Sequence, residues 1–583
     1  MANTIDLGMV TAYAYAVAGG YTGTEQEFEE LLGTIASGHG SIAGIEKTST
    51  SGNVDTFTIT YTDGTTSTFT VTNGEITTEV LTETLEGYVA KTEVDANLDS
   101  TSELPVQNKV ITDAIDRLTK LALNQIKVYG VRWDRLTNQL TRCYDSESIT
   151  TQTANFGHFG SINTSYNNPF DSLYPWSEFK VCNVDLTAFR NRGTDYDLKD
   201  YITAYYGDAD FTYIGTATNF VGRYRPEYWY TSFEDENGVT YLIATGEIEG
   251  FWYSPPTIDA VGLSISDNNN GMTSGSGLSL SGSGYSGSAM HTMAKNSDMQ
   301  LMDIYTLDSV ITAYLVEYAN MNSQSALGSG CVNLYRQNAA DTISAVATVN
   351  GKTSLTVANT GAFIQVGGEV VFGTTSGAET YKGIIESVNG SSITLDRELA
   401  ITDGMYISYH GMASCEFGYL STSVGNASGY IGVNGYANAY YRGAMIWGNK
   451  YIYTLGIYRQ TGTGHLWLCD RDLVDNYDAL NISLHTDTGT ALPELATEGW
   501  QQVGGNASII NGLASFLATG TSSGSSASPV GDQQYVPLPS AGNTVLWFGG
   551  GATGEAYAGA FCGGWNTSAG RSGWSSGSLL ILK

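Results

Sequence analysis

The chain is short of what nucleic-acid binding, membrane insertion or metal chemistry would require. Its 583 residues carry 26 Lys and Arg against 58 Asp and Glu, a formal charge of −32, and no basic run interrupts the deficit. A field of that sign repels phosphate backbones and anionic lipid, so neither nucleic acid nor membrane insertion is expected, and solubility explains the charge. The six histidines are dispersed, with no HxxxH, HExxH or Cys/His cluster. No metal and no cofactor is therefore expected. Six cysteines (Cys143, Cys182, Cys331, Cys415, Cys469, Cys562) stand far apart without a CxxC pair, which suits a reducing cytoplasm better than a secreted disulfide framework. No run is long and apolar enough to span a bilayer, and the opening MANTIDLGMVTAYAYAVAGG lacks the basic start and continuous apolar core of a signal peptide. A role outside a cell is then expected to involve a route other than signal-directed secretion.

Catalytic signatures are missing too. There is no P-loop and no dinucleotide fingerprint. The GxSxG-like strings at 274–285 lie in low complexity rather than on a strand–turn–helix. Enzyme activity has no positive support, although carboxylates paired in space for glycoside cleavage would leave no mark in the sequence.

What is present is Gly (70), Tyr (38) and Trp (10), with 14% charged residues and only 10 Pro. That is the composition of an ordered, β-rich, aromatic-heavy protein too long for one core. Thr24 and Glu27 form a capping box ahead of Phe28, Leu31 and Leu32, predicting a short helix over 25–32. From Thr56 to Thr72 the text TFTITYTDGTTSTFTVT alternates on both sides of Asp63-Gly64, which reads as a β-hairpin. Its Thr-rich faces offer little core, so it is expected to lean on another copy or chain. In VQNKVITDAIDRLTKLAL, Ile111, Ile115, Leu118 and Ala122 recur at steps of four and three, either a short coiled-coil seam or an ordinary amphipathic helix.

A globular pattern begins at Ile126. IKVYGVRWDRLTNQLTRCYD reads as two strands, and 220–256 as an aromatic strand pair. The stretch SISDNNNGMTSGSGLSLSGSGYSGSA, within 264–290, reads as a loop. In IYTLDSVITAYLVEYANMNSQ, Leu307, Ile311, Tyr314, Leu315 and Tyr318 share one helical face and predict a core stripe. Residues 338–410 alternate between Asn-Gly turns as a small all-β module would. The chain closes on LWFGGGATGEAYAGAFCGGWNTSAGRSGWSSGSLLILK, residues 546–583, where aromatic anchors alternate with small polar runs. Such a stretch is either a Gly-rich coil or a recognition surface held on a rigid frame.

Several segments together resemble known proteins. GYTGTEQEFEELLG, DTFTITYTDGTTSTFTVTNG and STSELPVQNKVITDAI look like N-terminal modules of tail-fibre and receptor-binding proteins of phages that infect gut bacteria. VRWDRLTNQLTR through NPFDSLYPWSEFKVCN, YTLDSVITAYLVEYANMNSQS and YRGAMIWGN resemble the C-type-lectin-like fold, of the formylglycine-generating-enzyme type, found in variable proteins of diversity-generating retroelements. The ending GWSSGSLLILK is similar to the variable region that closes those proteins.

The resemblance implies a multidomain, mainly β protein with some α. Residues 1–40 would form a virion-attachment module, 41–76 a β-hairpin stalk and 77–125 a coiled-coil or helical linker. The lectin-like α+β domain would span 126–337 and 411–583, interrupted by the small β insertion at 338–410 and carrying the variable region at 546–583. It implies a homotrimer on the virion tail, made in the host bacterial cytoplasm. The N-terminus would dock on other tail proteins, and the C-terminus would grip a bacterial surface receptor, protein or glycan. A tail-associated polysaccharide depolymerase and a purely structural fibre or baseplate subunit are the alternatives.

Adenine-directed errors in an AAC codon yield Asn, Tyr, Ser, Thr, Asp, Gly, Arg or Cys, among others, but never Glu or Trp. Tyr557, Cys562, Gly563, Gly564, Asn566, Thr567, Ser568, Arg571, Ser572, Ser575 and Ser576 are compatible with that origin. Glu555 and Trp565 are not. The expected receptor-reading set is Tyr557, Gly563, Gly564, Trp565, Asn566, Thr567, Ser568, Arg571, Ser572, Ser575 and Ser576. Trp547, Phe561, Trp574 and Gly577, with Ser578, are the expected scaffold. No catalytic residue is carried over.

Overall fold

The computed structural model describes residues 23–24, 26–28, 42–51, 54–72, 126–150, 168–267, 271–281, 284–327, 335–357, 364, 366–412, 439–471, 482–493, 495–503, 509–510, 513–516, 532–538, 540–550, 558–573 and 575–583. They fall into two compact units, one within Met1–Ile115 and one within Asp116–Lys583. The expected coiled coil at 77–125, the scaffold Trp574 and the receptor-reading Tyr557 lie outside the described residues.

In the first unit, Thr24 N donates to Glu27 Oε2 (2.7 Å) and Glu27 N to Thr24 Oγ1 (3.3 Å), the reciprocal bonds of a capping box. The alternating segment forms the strands Val54–Tyr61 and Thr66–Thr72, joined at Asp63-Gly64. Gly64 takes the left-handed φ of 83° that the turn demands, and Thr65 N donates to Asp63 Oδ1 (2.8 Å). Within the chain the hairpin gains a third strand. The strand Ile42–Ser51 pairs antiparallel with Val54–Tyr61 and makes a three-stranded sheet, in which Ile59 and Tyr61 are buried. Its text, IAGIEKTSTS, alternates too weakly to announce a strand.

The second unit is mainly β and built from several sheets around one long helix. A five-stranded sheet runs in the order Trp252–Ser254, Tyr228–Asp235, Gly238–Ala244, Val128–Asp134 and Gln139–Tyr144. A six-stranded sheet runs Gln300–Leu301, Leu580–Leu582, Thr257–Ala260, Asn219–Arg225, Lys180–Asp185 and Ile202–Tyr205. The aromatic stretch at 220–256 thus supplies four strands where two are predicted, because tight connections such as the turn between Asp235 and Gly238 leave little loop between them. The low-complexity stretch after Val261 is also not a simple loop. Ser264–Ser266 and Met272–Ser274 pair antiparallel, and Thr273 and Ser274 are fully buried, since small side chains let this backbone pack closely.

The helix Ile304–Tyr318 is the axis of the core. Asp303 caps it, accepting from Tyr305 N and Thr306 N (both 2.9 Å), and Lys583 Nζ lies 3.1 Å from the same carboxylate. Instead of one apolar stripe, every residue of this helix except Tyr305 is buried, Asp308 and Glu317 included. Glu317 is tolerated because Arg442 Nε and Nη2 reach its two oxygens at 2.7 Å each and Tyr441 Oη donates at 2.8 Å. A buried carboxylate without such partners would cost several kcal/mol, of order ~3–5.

Residues Tyr335–Met412 hold six strands that close into a barrel with a core of its own, centred on Val370, Phe372, Ile385, Leu395 and Ile407. A buried ion pair joins it to the rest of the unit. Lys450 Nζ lies 3.1 Å from Glu369 Oε1, and both side chains are fully buried. Ser279 N and Oγ donate to Glu369 Oε2 at 3.0 and 2.8 Å. Burial opposes the Glu369 charge, yet Lys450, Lys382 and the Ser279 donors outweigh it and hold its pKa down to about 2.

Candidate binding surface

The closing residues of the chain become strands in two sheets. Leu580–Leu582 lies inside the six-stranded sheet between Thr257–Ala260 and Gln300–Leu301, so the apolar run LLIL is core rather than tail. Upstream, Gly563–Thr567 lies inside an eight-stranded sheet, antiparallel to Thr544–Phe548 and parallel to Gln533–Val536. The Gly and Ala content that reads as coil suits a crowded interior. A Cβ on Gly559 would stand 2.2 Å from Asp532 Oδ1.

Register then assembles an aromatic row that no local text announces. Tyr453 pairs with Trp547, Trp547 with Gly564, Gly564 with Tyr535, and Tyr535 with Trp500, across five neighbouring strands. Paired residues share a sheet face, so the row is continuous and Gly564 is its one gap. A Cβ there would meet Asn566 Oδ1 at 3.5 Å and Trp547 Cβ at 3.7 Å, ordinary van der Waals contact without a clash. The Tyr451 ring stacks against Trp547 (5.5 Å between centroids, 25° between planes) and against Trp500 (6.4 Å, 22°). Trp500 meets Tyr535 edge-on at 5.6 Å. Trp547 and Tyr451 are buried, while Trp500 and Tyr535 are half-buried and present ring surface to solvent.

Beside the row, residues 566–573 run from the end of that strand into a turn whose backbone is fixed. Ser288 N donates to Ala569 O (2.9 Å), Tyr453 Oη to Arg571 O, Arg571 N to Ser568 O (3.1 Å) and Tyr451 N to Ser575 O (2.8 Å). With the main chain held, the side chains of Asn566, Ser568, Arg571 and Ser572 are exposed. The Arg571 guanidinium lies 5.2 Å from the Trp547 ring centroid, tying the turn to the row.

The residues singled out from sequence divide accordingly. Asn566, Ser568, Arg571 and Ser572 are exposed and Ser575 is half-buried. Gly563, Gly564, Thr567 and Ser576 are buried. So is Trp565, at 1% exposure, its indole Nε1 within 3.5 Å of Gln534 Oε1, and its ring is therefore not offered to a ligand. Phe561 and Gly577 are buried as well. Trp500, Tyr535 and Tyr451 were not singled out. Their meeting depends on strand pairings between residues as distant in sequence as Tyr453 and Trp547, and the one local signal is the alternation of Tyr451 and Tyr453.

An unusual acid lies against the Phe561 backbone. Asp532 is fully buried and accepts from Phe561 N (2.7 Å) and Gln324 Nε2 (3.5 Å). Burial pushes its pKa up to about 8, against the pull of the Phe561 amide. Among the described residues no group of three or more His, Cys, Asp or Glu could hold a metal ion, and no helix is long and apolar enough to cross a membrane. No protein-family model matches the chain, and no curated protein matches it.

Proposed function

We propose that this chain is the receptor-binding protein of a phage tail, and that the turn 566–573 with the Trp500–Tyr535 edge of the aromatic row is its receptor contact. One observation carries the reading: four exposed small or flexible polar side chains project from a backbone pinned by the rest of the unit, next to half-exposed aromatic rings. That pairing of adaptable polar groups with rigid aromatic anchors gives specific contacts at low entropic cost, as in antibody loops. Exchange at Asn566, Ser568, Arg571 or Ser572 would alter the surface without touching the core, which is what diversification requires. The second unit is read as a C-type-lectin-like domain with an inserted barrel, and the protein as a trimer on the virion tail that binds a bacterial surface molecule, protein or glycan. Trimerisation would raise weak single-site binding through effective concentration.

Hydrogen exchange on the full-length protein mixed with intact host cells tests the contact. Binding is expected to slow exchange in 563–573, 499–502 and 533–536. Slowing confined to other segments overturns the assignment.

A further inference from the structure

A second cleft lies apart from the surface described above. It has a volume of about 760 Å³, and its walls include Tyr174, Tyr196, Tyr224, Glu178, Lys199 and Glu227. That size falls among the pockets of ~300–1,000 Å³ that hold small ligands. None of the exposed turn residues lines it.

Its chemistry is mixed in a particular way. Glu227 stands at the rim, taking the Tyr253 hydroxyl on Oε2 (2.7 Å) and the Tyr174 hydroxyl on its carbonyl oxygen. Tyr253 is 44% exposed and its ring lies 5.2 Å from Trp229, so an aromatic platform continues outward from the cleft. On the opposite wall Glu178 lies 3.3 Å from Lys180 and 3.7 Å from Lys199, and Lys199 Nζ sits 5.0 Å from the Tyr224 ring centroid. Burial raises the phenols of Tyr174, Tyr224 and Tyr253, helped by Glu227 at Tyr174 and Tyr253 and by Asp197 and Glu178 at Tyr224, which is pushed up to about 12. All three therefore stay O–H donors at neutral pH.

The carboxylates are partly satisfied already, Glu178 by lysines and Glu227 by a phenol. Lys199 and Lys583 line the cleft together with Glu178, Asp197 and Glu227, so its wall carries both signs rather than the single sign that would select a cationic peptide, and the three carboxylates disfavour an anionic ligand. What it offers is ring faces beside charged acceptors, the hydroxyls of Tyr174, Tyr196 and Tyr253 being already donated to Glu227 and Lys583. A polyhydroxylated ligand with an apolar C–H face uses both, its hydroxyls making charge-assisted bonds to the carboxylates and its face packing on the rings.

We propose that this cleft is a binding site for a neutral saccharide, with the Tyr253 ring as stacking platform and Glu227 as hydroxyl acceptor. It is separate from the turn 566–573 and works whether or not that turn reads a receptor. Calorimetric titration of the full-length chain with maltotriose, mannotriose and chitotriose, and with trilysine for comparison, tests it. At least one trisaccharide should bind in the millimolar range or tighter. Tyr253→Ala and Glu227→Gln should each weaken that binding about tenfold, the scale of a lost stacking face or charge-assisted bond. Melting temperature should not change, and Arg571→Ala should leave the affinity unaltered. Three results overturn the proposal: no trisaccharide bound, affinity untouched by both cleft variants, or trilysine bound in place of sugar.

Discussion

Two residues beside Phe561 show how tightly the closing stretch is packed. Gly559 has no room for a methyl group, because a Cβ would stand 2.2 Å from the Asp532 carboxylate. Gly559→Ala is expected to destabilise the fold by about 1–3 kcal/mol, the usual cost of overpacking, read as a lowered melting temperature. Asp532 gives the site a pH signature. An acid whose pKa is raised by folding binds its proton more tightly in the fold. The stability it lends is full below the unfolded carboxylate value of about 4 and is lost as pH rises through the folded value. For Asp532 that window closes at about 8. Asp532→Asn keeps an acceptor for Phe561 N without a titrating group. The variant should flatten the fall in stability between those limits and melt higher than the parent above the window; an unchanged pH profile would remove Asp532 from this role.

At the level of elements, the joint between barrel and sheet is the sharpest prediction. The Glu369 and Lys450 side chains are both fully buried against each other, so removing one strands the other. Glu369→Ala or Lys450→Ala alone should cost about 3–5 kcal/mol in denaturant unfolding, whereas replacing both with apolar residues of similar volume should cost far less. Additive losses would show that the pair is not coupled. Because folding lowers the Glu369 pKa to about 2, its contribution is present above the unfolded carboxylate range and is lost as pH falls through that value. The same joint marks where sequence reading stops. Alternation exposes the hairpin around Asp63-Gly64, the strands on either side of Leu136 and those of the barrel, since each pairs with a near neighbour in the chain. The apolar spacing of Leu307, Ile311 and Leu315 likewise exposes the central helix. Neither pattern says that Lys450 will meet Glu369, or that Trp547, Tyr535 and Trp500 will line up, because those meetings follow from pairings distant in sequence. Residue type misleads at Trp565, where a large aromatic in a variable-looking stretch is core, and at 264–281, where Ser and Gly pack instead of looping.

For the molecule as a whole, the account rests on a division of labour inside one short stretch. Trp547, Phe561, Trp565 and Leu579–Leu582 are committed to the interior, and Asn566, Ser568, Arg571 and Ser572 stand free of it. Replacing the second group should therefore leave the fold alone and change what the protein holds, with Arg571→Ala by itself weakening attachment about threefold through the lost side-chain contact with the receptor. The most direct measurement is flow cytometry of fluorescently labelled full-length protein on a panel of gut bacterial strains, the parent beside a variant with Ala at positions 566, 568, 571 and 572 together. The account predicts that the parent labels at least one strain and that the variant, melting at the same temperature, loses that labelling. Equal labelling by parent and variant would contradict it.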